Sequence, residues 1–164
     1  MPAFAGMTGR GWGMSEEPTW EDLLAGKGCP FCVPRGERNE FSVKVQALSV
    51  STLYLDRSQL YRGYCALIFS ARHATGLEQL SDDEYAQYTA DLRRAMKAIA
   101  GAVKPDLMNY ASLGNSIPHL HYHIIPRYKT DPRWRVNPFG NMTHTPLGSE
   151  AEYDELVAGI RAGL

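Results

Sequence analysis

The chain has 164 residues, 44% apolar and 21% charged, with a net charge of −1, a balance that fits one globular domain and argues against a broad nucleic-acid or membrane footprint. No apolar run is long enough for a transmembrane helix. The three cysteines make no disulfide framework, so a cytoplasmic protein is expected.

Residues 1–13 are rich in Gly and Met and lack the charged start and apolar segment of a signal peptide. They are expected to be a disordered extension, with Met14 opening a single domain over 14–164. A short helix is predicted over 18–26, followed by the Gly- and Cys-rich turn GKGCPFC. FSVKVQAL and VSTLYLD predict strands over 41–48 and 50–56, and the apolar run YCALIFS predicts a buried strand over 64–70. Ser81 with Glu84 is a capping-box pattern, and Leu92, Ala95, Met96 and Ile99 repeat at helical spacing. That helix is expected to end near 103, before Pro105. LMNYASL predicts a strand over 107–113, GNSIP a turn, and HLHYHII a strand over 119–125 stopped by Pro126. Residues 129–149 read as a loop, and EAEYDELVAGIRAGL as a closing helix. Strands, helix, strands and tail helix point to an α+β domain with an antiparallel sheet.

Three of the five histidines, His119, His121 and His123, occupy alternate positions of one apolar run. On a strand they would line one face at ~6.6 Å intervals. The span from His119 to His123 would be ~13 Å, too long for one ion at ~2.1 Å from each nitrogen. A His-x-His metal chelate, a nucleophilic imidazole that forms a covalent intermediate, and a polar solvent-facing strand all remain open. Cys29-Pro-Phe-Cys32 has zinc-knuckle spacing, and His73 and His119 are candidates to complete a Cys2His2 site. A redox pair or two buried cysteines are the alternatives, and Cys65 reads as plain core.

HLHYHII resembles the His-φ-His-φ-His-φ-φ motif of the histidine triad (HIT) family of nucleotidyl hydrolases and transferases. GCPFC resembles the cysteine pair of the zinc-containing bacterial members. LYLDRSQLYRGYCALIFSARH, the helix start LSDDE and NYASLGNSIPHLHYHIIPRY extend the similarity over about residues 27–128. The resemblance implies a HIT-like fold with about five strands, one long helix and a C-terminal helix. It implies hydrolysis or transfer of a nucleotidyl group from a dinucleoside polyphosphate or nucleoside phosphoramidate. His121 would be the nucleophile, His123 would hold the phosphate, and Ser116 would protonate the leaving group. Asp56 would hold the ribose, while Asn109, Gly114 and Asn115 would contact the phosphate region. Zinc on Cys29, Cys32, His73 and His119 would be structural, with no organic cofactor, and a homodimer is expected. A non-catalytic nucleotide-binding module and a metal-dependent hydrolase are the other classes. Asn115 stands where the family commonly has Gln, one methylene longer. Tyr64 stands where a histidine commonly follows the glycine, a change expected to affect packing more than catalysis. Trp134, in the late loop, could cover the leaving group or anchor the tail.

Overall fold

The computed structural model describes residues 17–131, 133–140 and 143–164; the expected extension over 1–13 lies outside them. Five strands form one antiparallel sheet in the order β1-β2-β3-β5-β4. They are β1 (Ser42–Ala47), β2 (Ser51–Asp56), β3 (Cys65–Phe69), β4 (Leu107–Ala111) and β5 (His121–Arg127). The helices are α1 (Trp20–Leu24), α2 (Asp82–Val103) and α3 (Glu150–Arg161). The α+β architecture and its antiparallel sheet are those the sequence predicts. Among the described residues, no helix is long and apolar enough to cross a membrane.

Strand alternation splits the sheet into two chemically different faces. Leu53, Leu55, Leu67, Phe69 and Ile124 join Tyr88, Ala95 and Ile99 of α2 and Leu156 and Ile160 of α3 in one core. Each fully buried aliphatic or aromatic side chain there contributes about 1.5–3 kcal/mol relative to exposure. The intervening residues Tyr54, Ala66, Ile68, His121 and His123 line a cleft on the opposite face. The helices therefore hold the sheet rigid from behind the histidines.

Both long helices start on reciprocal caps. Ser81 Oγ accepts from Glu84 N while Glu84 accepts from Ser81 N, and Ser149 with Glu152 repeats the arrangement for α3. Helix α2 ends at Lys104, which adopts a left-handed conformation immediately before Pro105.

Two expectations about the histidine run are corrected. The strand begins at His121, not at position 119, so only His121 and His123 share the strand face. His119 N donates to Ile117 O at 2.8 Å, a tight turn that takes His119 out of the sheet. The strand also continues through Pro126 to Arg127. Pairing of β3 with β5 stops at Ile124. Arg127 O accepts from Asp106 N on the β4 side, so Pro126 turns its nitrogen to the other side, past the end of β3. Its missing N–H therefore removes no ladder bond.

Candidate active site and metal centre

The turn after α1, the segment after β3 and the turn before β5 bring Cys29, Cys32, His73 and His119 together, with donor atoms all within 4.8 Å of one another. Cys29 Sγ lies 3.4 Å from His119 Nδ1, and Cys32 Sγ lies 3.3 Å from His73 Nδ1 and 3.5 Å from His119 Nδ1. A tetrahedral zinc with ordinary bond lengths would set sulfur–nitrogen edges of about 3.6 Å. The far nitrogens are also placed for coordination. His119 Nε2 faces Phe69 O at 2.7 Å, and His73 Nε2 faces Leu24 O at 3.2 Å. A carbonyl only accepts, so each Nε2 carries the proton and each Nδ1 turns its lone pair toward the sulfurs. Burial and the adjacent Cys29 push the Cys32 thiol up to about 12, so two neighbouring thiolates need a cation between them. The donor set and its backbone partners fit a zinc ion.

Gly26 is required for this arrangement. Its φ is +79°, and a Cβ there would lie 3.0 Å from Cγ of His73.

His121 and His123 form a separate, directional unit. His121 Nδ1 lies 2.6 Å from His119 O, and its Nε2 lies 3.1 Å from His123 Nε2. His123 Nδ1 lies 2.7 Å from Tyr64 Oη. Burial lowers the basicity of both rings, that of His123 to about 3, so both are neutral at pH 7. With Nδ1 of His121 protonated against the carbonyl, its Nε2 carries a lone pair. That nitrogen is an available nucleophile at the floor of the cleft.

The cleft holds a cavity of about 100 Å³ and opens to solvent, so it encloses less than the ~300–1,000 Å³ of a full small-molecule site. Phe31, Arg35, Tyr54 and Asp56 line it beside the two histidines. Asp56 accepts the N–H of Ser58 at 2.7 Å, yet burial pushes its carboxyl up to about 7. Phe31 lies edge-on to His121, with ring centroids 5.1 Å apart.

Asn109 lies on the histidine face, since it pairs with Ile125 while Ala111 pairs with His123. Its oxygen accepts from Arg127 Nη1 at 2.9 Å. Arg127 is 2% exposed, binds Asp131 at 2.6 Å and packs over the Tyr61 ring. This buried cation ties the loop after β5 to the sheet, and Phe139 of that loop reaches the edge of the His123 ring. Gly114, Asn115 and Ser116 lie on the turn between β4 and β5, outside the residues lining the cleft, with Asn115 and Ser116 exposed. Trp134 and Arg135 line a second hollow beside β4.

Sequence reasoning missed Arg35, Phe31 and the hydrogen bond of Tyr64. The position of Phe31 between the two cysteines was the available signal for one of them. Tyr64 does more than pack, because its hydroxyl meets His123.

A family model described as the HIT domain matches residues 38–130, more than half of the chain; the cysteine pair lies just before the match. An adenosine 5'-monophosphoramidase of Schizosaccharomyces pombe is 28% identical over 134 residues, covering 74% of this chain and 94% of that protein. A histidine triad protein of Bradyrhizobium japonicum superposes with a TM-score of 0.70 at 26% identity, over 82% of this chain and 98% of that one. A zinc-bound histidine triad family protein of Mycobacterium smegmatis gives a TM-score of 0.52 at 17% identity, over 74% and 83% of the two chains.

Proposed function

The chain belongs to the HIT domain family, and from that premise we propose that it hydrolyses a nucleotide conjugate through a covalent nucleotidyl-histidine at His121. The observation that carries this reading is the pairing of His121 Nδ1 with His119 O, which leaves Nε2 unprotonated toward the cleft. The lone pair of Nε2 attacks the α-phosphorus, and the bond from phosphorus to the leaving nitrogen or oxygen breaks with its electrons. The leaving group takes a proton, for which Ser116, exposed on the turn before β5 and outside the cleft lining, is the proposed donor. Water then attacks the same phosphorus, the phosphorus–imidazole bond breaks, and the nucleoside monophosphate departs.

His123 Nε2–H, which meets His121 Nε2 at 3.1 Å in the free protein, would turn to a phosphate oxygen once substrate is bound and so release the His121 lone pair. Asn109, its oxygen held by Arg127, would present its amide NH2 to the phosphate. Gly114 and Asn115, on the turn leading into the triad, would add contacts there. Asp56 would accept from the ribose hydroxyls. Dinucleoside polyphosphates and nucleoside phosphoramidates are the candidate substrates, and the name of the Schizosaccharomyces relative favours the second.

Zinc on Cys29, Cys32, His73 and His119 would be structural, stapling the N-terminal turn to the loop that carries His119. It would take no part in the attack, because His121 and His123 are not members of that donor group. A thiolate site of this kind suits a reducing compartment, which supports a cytoplasmic location. The edge strand β4 exposes Leu107, Tyr110 and, just beyond it, Leu113, which supports pairing into a homodimer.

The test is release of AMP from adenosine phosphoramidate and from diadenosine tetraphosphate by the parent and by His121→Ala, with chelator present. Release by the parent alone supports the covalent route. Tight nucleotide binding without turnover would instead make the protein a binding module. Activity that vanishes with chelator would point to the metal-dependent class.

A further inference from the structure

The fifth histidine, His144, belongs neither to the metal-binding group nor to the triad, yet it lines the triad cleft beside Asp56, Ser58 and Glu40. The backbone on either side fixes its place. Ser58 Oγ donates to Thr143 O at 3.3 Å, Thr145 N donates to Ser58 Oγ at 3.2 Å, and Gln59 N donates to Thr145 O at 2.7 Å. The same Ser58 donates its N–H to Asp56 Oδ1 at 2.7 Å. One residue thus registers His144 against Asp56. His144 is exposed, and its ring makes no hydrogen bond among the described residues. It also lines a neighbouring hollow with Arg57 and Tyr153, so it stands on the rim where the cleft opens.

The sheet separates this rim from the nucleophile. Asp56 ends β2, two strand spacings, about 10 Å, across from β5. A nucleotide whose phosphate rests on His121 spans that gap with its sugar. Ribose offers two adjacent hydroxyls, each both a donor and an acceptor. Asp56 Oδ1 already takes the N–H of Ser58, while Oδ2 takes no hydrogen bond among the described residues. One open carboxylate oxygen serves one hydroxyl, and the second needs a group of its own. A neutral imidazole suits it, accepting at one nitrogen and donating at the other. Glu40 lines the same rim, but a second carboxylate on the diol would set like charges together. We propose that Asp56 Oδ2 takes one ribose hydroxyl and the His144 ring the other, so that His144 selects ribonucleotides over deoxyribonucleotides. A site built to hydrogen-bond a hydroxyl rejects the analogue that lacks it. This inference rests on the nucleotide reading given above.

The experiment is calorimetric titration of the full chain with AMP and GMP, each beside its 2′-deoxy and 3′-deoxy forms, repeated with His144→Ala, His144→Gln and Glu40→Gln. In the parent, loss of either hydroxyl is expected to weaken binding about tenfold. In His144→Ala the penalty for one hydroxyl disappears, while the penalty for the other, held by Asp56, stays. His144→Gln keeps a donor and an acceptor and restores part of the selectivity. The exposed ring supports no other part of the fold, so both variants should melt with the parent. Uniform weakening of every form, with both penalties kept, makes the role of His144 structural and overturns the inference. Selectivity lost in Glu40→Gln but kept in His144→Ala also overturns it, as does a parent that binds deoxy and ribo forms alike. The nucleotide reading survives all three results. Binding of neither AMP nor GMP removes that reading, and this inference with it.

Discussion

Tyr64 Oη lies 2.7 Å from His123 Nδ1, with both side chains 3% exposed. The proton order along this chain follows from its far end. His119 O can only accept, so His121 Nδ1 carries a proton and His121 Nε2 does not. The 3.1 Å contact between the two Nε2 atoms then requires the proton on His123 Nε2. His123 Nδ1 is left as an acceptor, and Tyr64 must donate to it. Burial holds the Tyr64 hydroxyl well above its ordinary range, so it remains a phenol throughout neutral pH. A residue expected to matter for packing thus sets which nitrogen of His123 carries the proton that meets His121.

Tyr64→Phe keeps the ring and removes the donor. An unsatisfied buried nitrogen costs about 1–3 kcal/mol, and His123 can escape it by moving its proton to Nδ1. The expected result is a kcat lowered roughly 10- to 100-fold with KM little changed. Imidazole 15N NMR should show His123 leaving the Nε2–H tautomer. Tyr64→His supplies a new hydrogen-bonding partner and should recover much of the rate. An unchanged tautomer in Tyr64→Phe would sink this assignment.

The fold was legible where one period dominated. The alternation of Val43, Lys44, Val45 and Gln46 in β1 and the helical repeat of α2 follow from residues close in sequence, and the Ser81–Glu84 box marked the start of α2 within one turn. The Cys29, Cys32, His73 and His119 cluster was legible because thiol and imidazole side chains have few other reasons to gather. The misread features depend on distant partners. Whether Pro126 ends a strand depends on where β3 stops, and the position of His119 depends on the Phe69 carbonyl that receives its ring. Tyr64 carries no local pattern, and it gained a role only when β3 and β5 converged.

Removing a zinc ion held by the Cys29, Cys32, His73 and His119 cluster should cost stability rather than chemistry. Its donors hold the N-terminal turn against the loop before β5, but His121 takes its tautomer from a backbone carbonyl. Chelation, or Cys29→Ala, should therefore lower Tm, by roughly 2–4 °C for each kcal/mol lost. Near 25 °C, where the fold persists, kcat should change by less than about threefold. Thermal scans with and without chelator, paired with rates below the transition, check this. An equal loss of rate in fully folded protein would contradict it.

Asp56 sets a pH dependence. Burial raises its folded pKa from 3.8 to about 7. Between those values the folded state binds more protons than the unfolded one, so this carboxyl favours folding at low pH and the contribution is lost as pH rises through 7. Asp56→Asn cannot ionise. It should be more stable than the parent above pH 7, with the difference vanishing below pH 4, while KM for ribonucleotides rises. Denaturation curves at several pH values give the first readout. A parent whose stability relative to Asp56→Asn does not fall from pH 4 to 7 would refute it.

Asp91 separates stability from function. It sits within α2, is 1% exposed, and its carboxylate accepts Ser49 N at 3.2 Å, Val50 N at 3.0 Å and Ser51 Oγ at 2.8 Å. One helix side chain thereby satisfies the turn that joins β1 to β2. Asp91→Ala strands two backbone donors and a hydroxyl in a buried place, for a loss of about 3 kcal/mol or more. Asp91→Asn retains one acceptor oxygen and should lose less. The cleft lies on the opposite face of the sheet, so kcat at 25 °C should stay within about twofold of the parent for both variants that remain folded. Urea denaturation and initial rates measured on the same preparations check both halves. A stable Asp91→Ala would mean that water serves the turn as well as the carboxylate does.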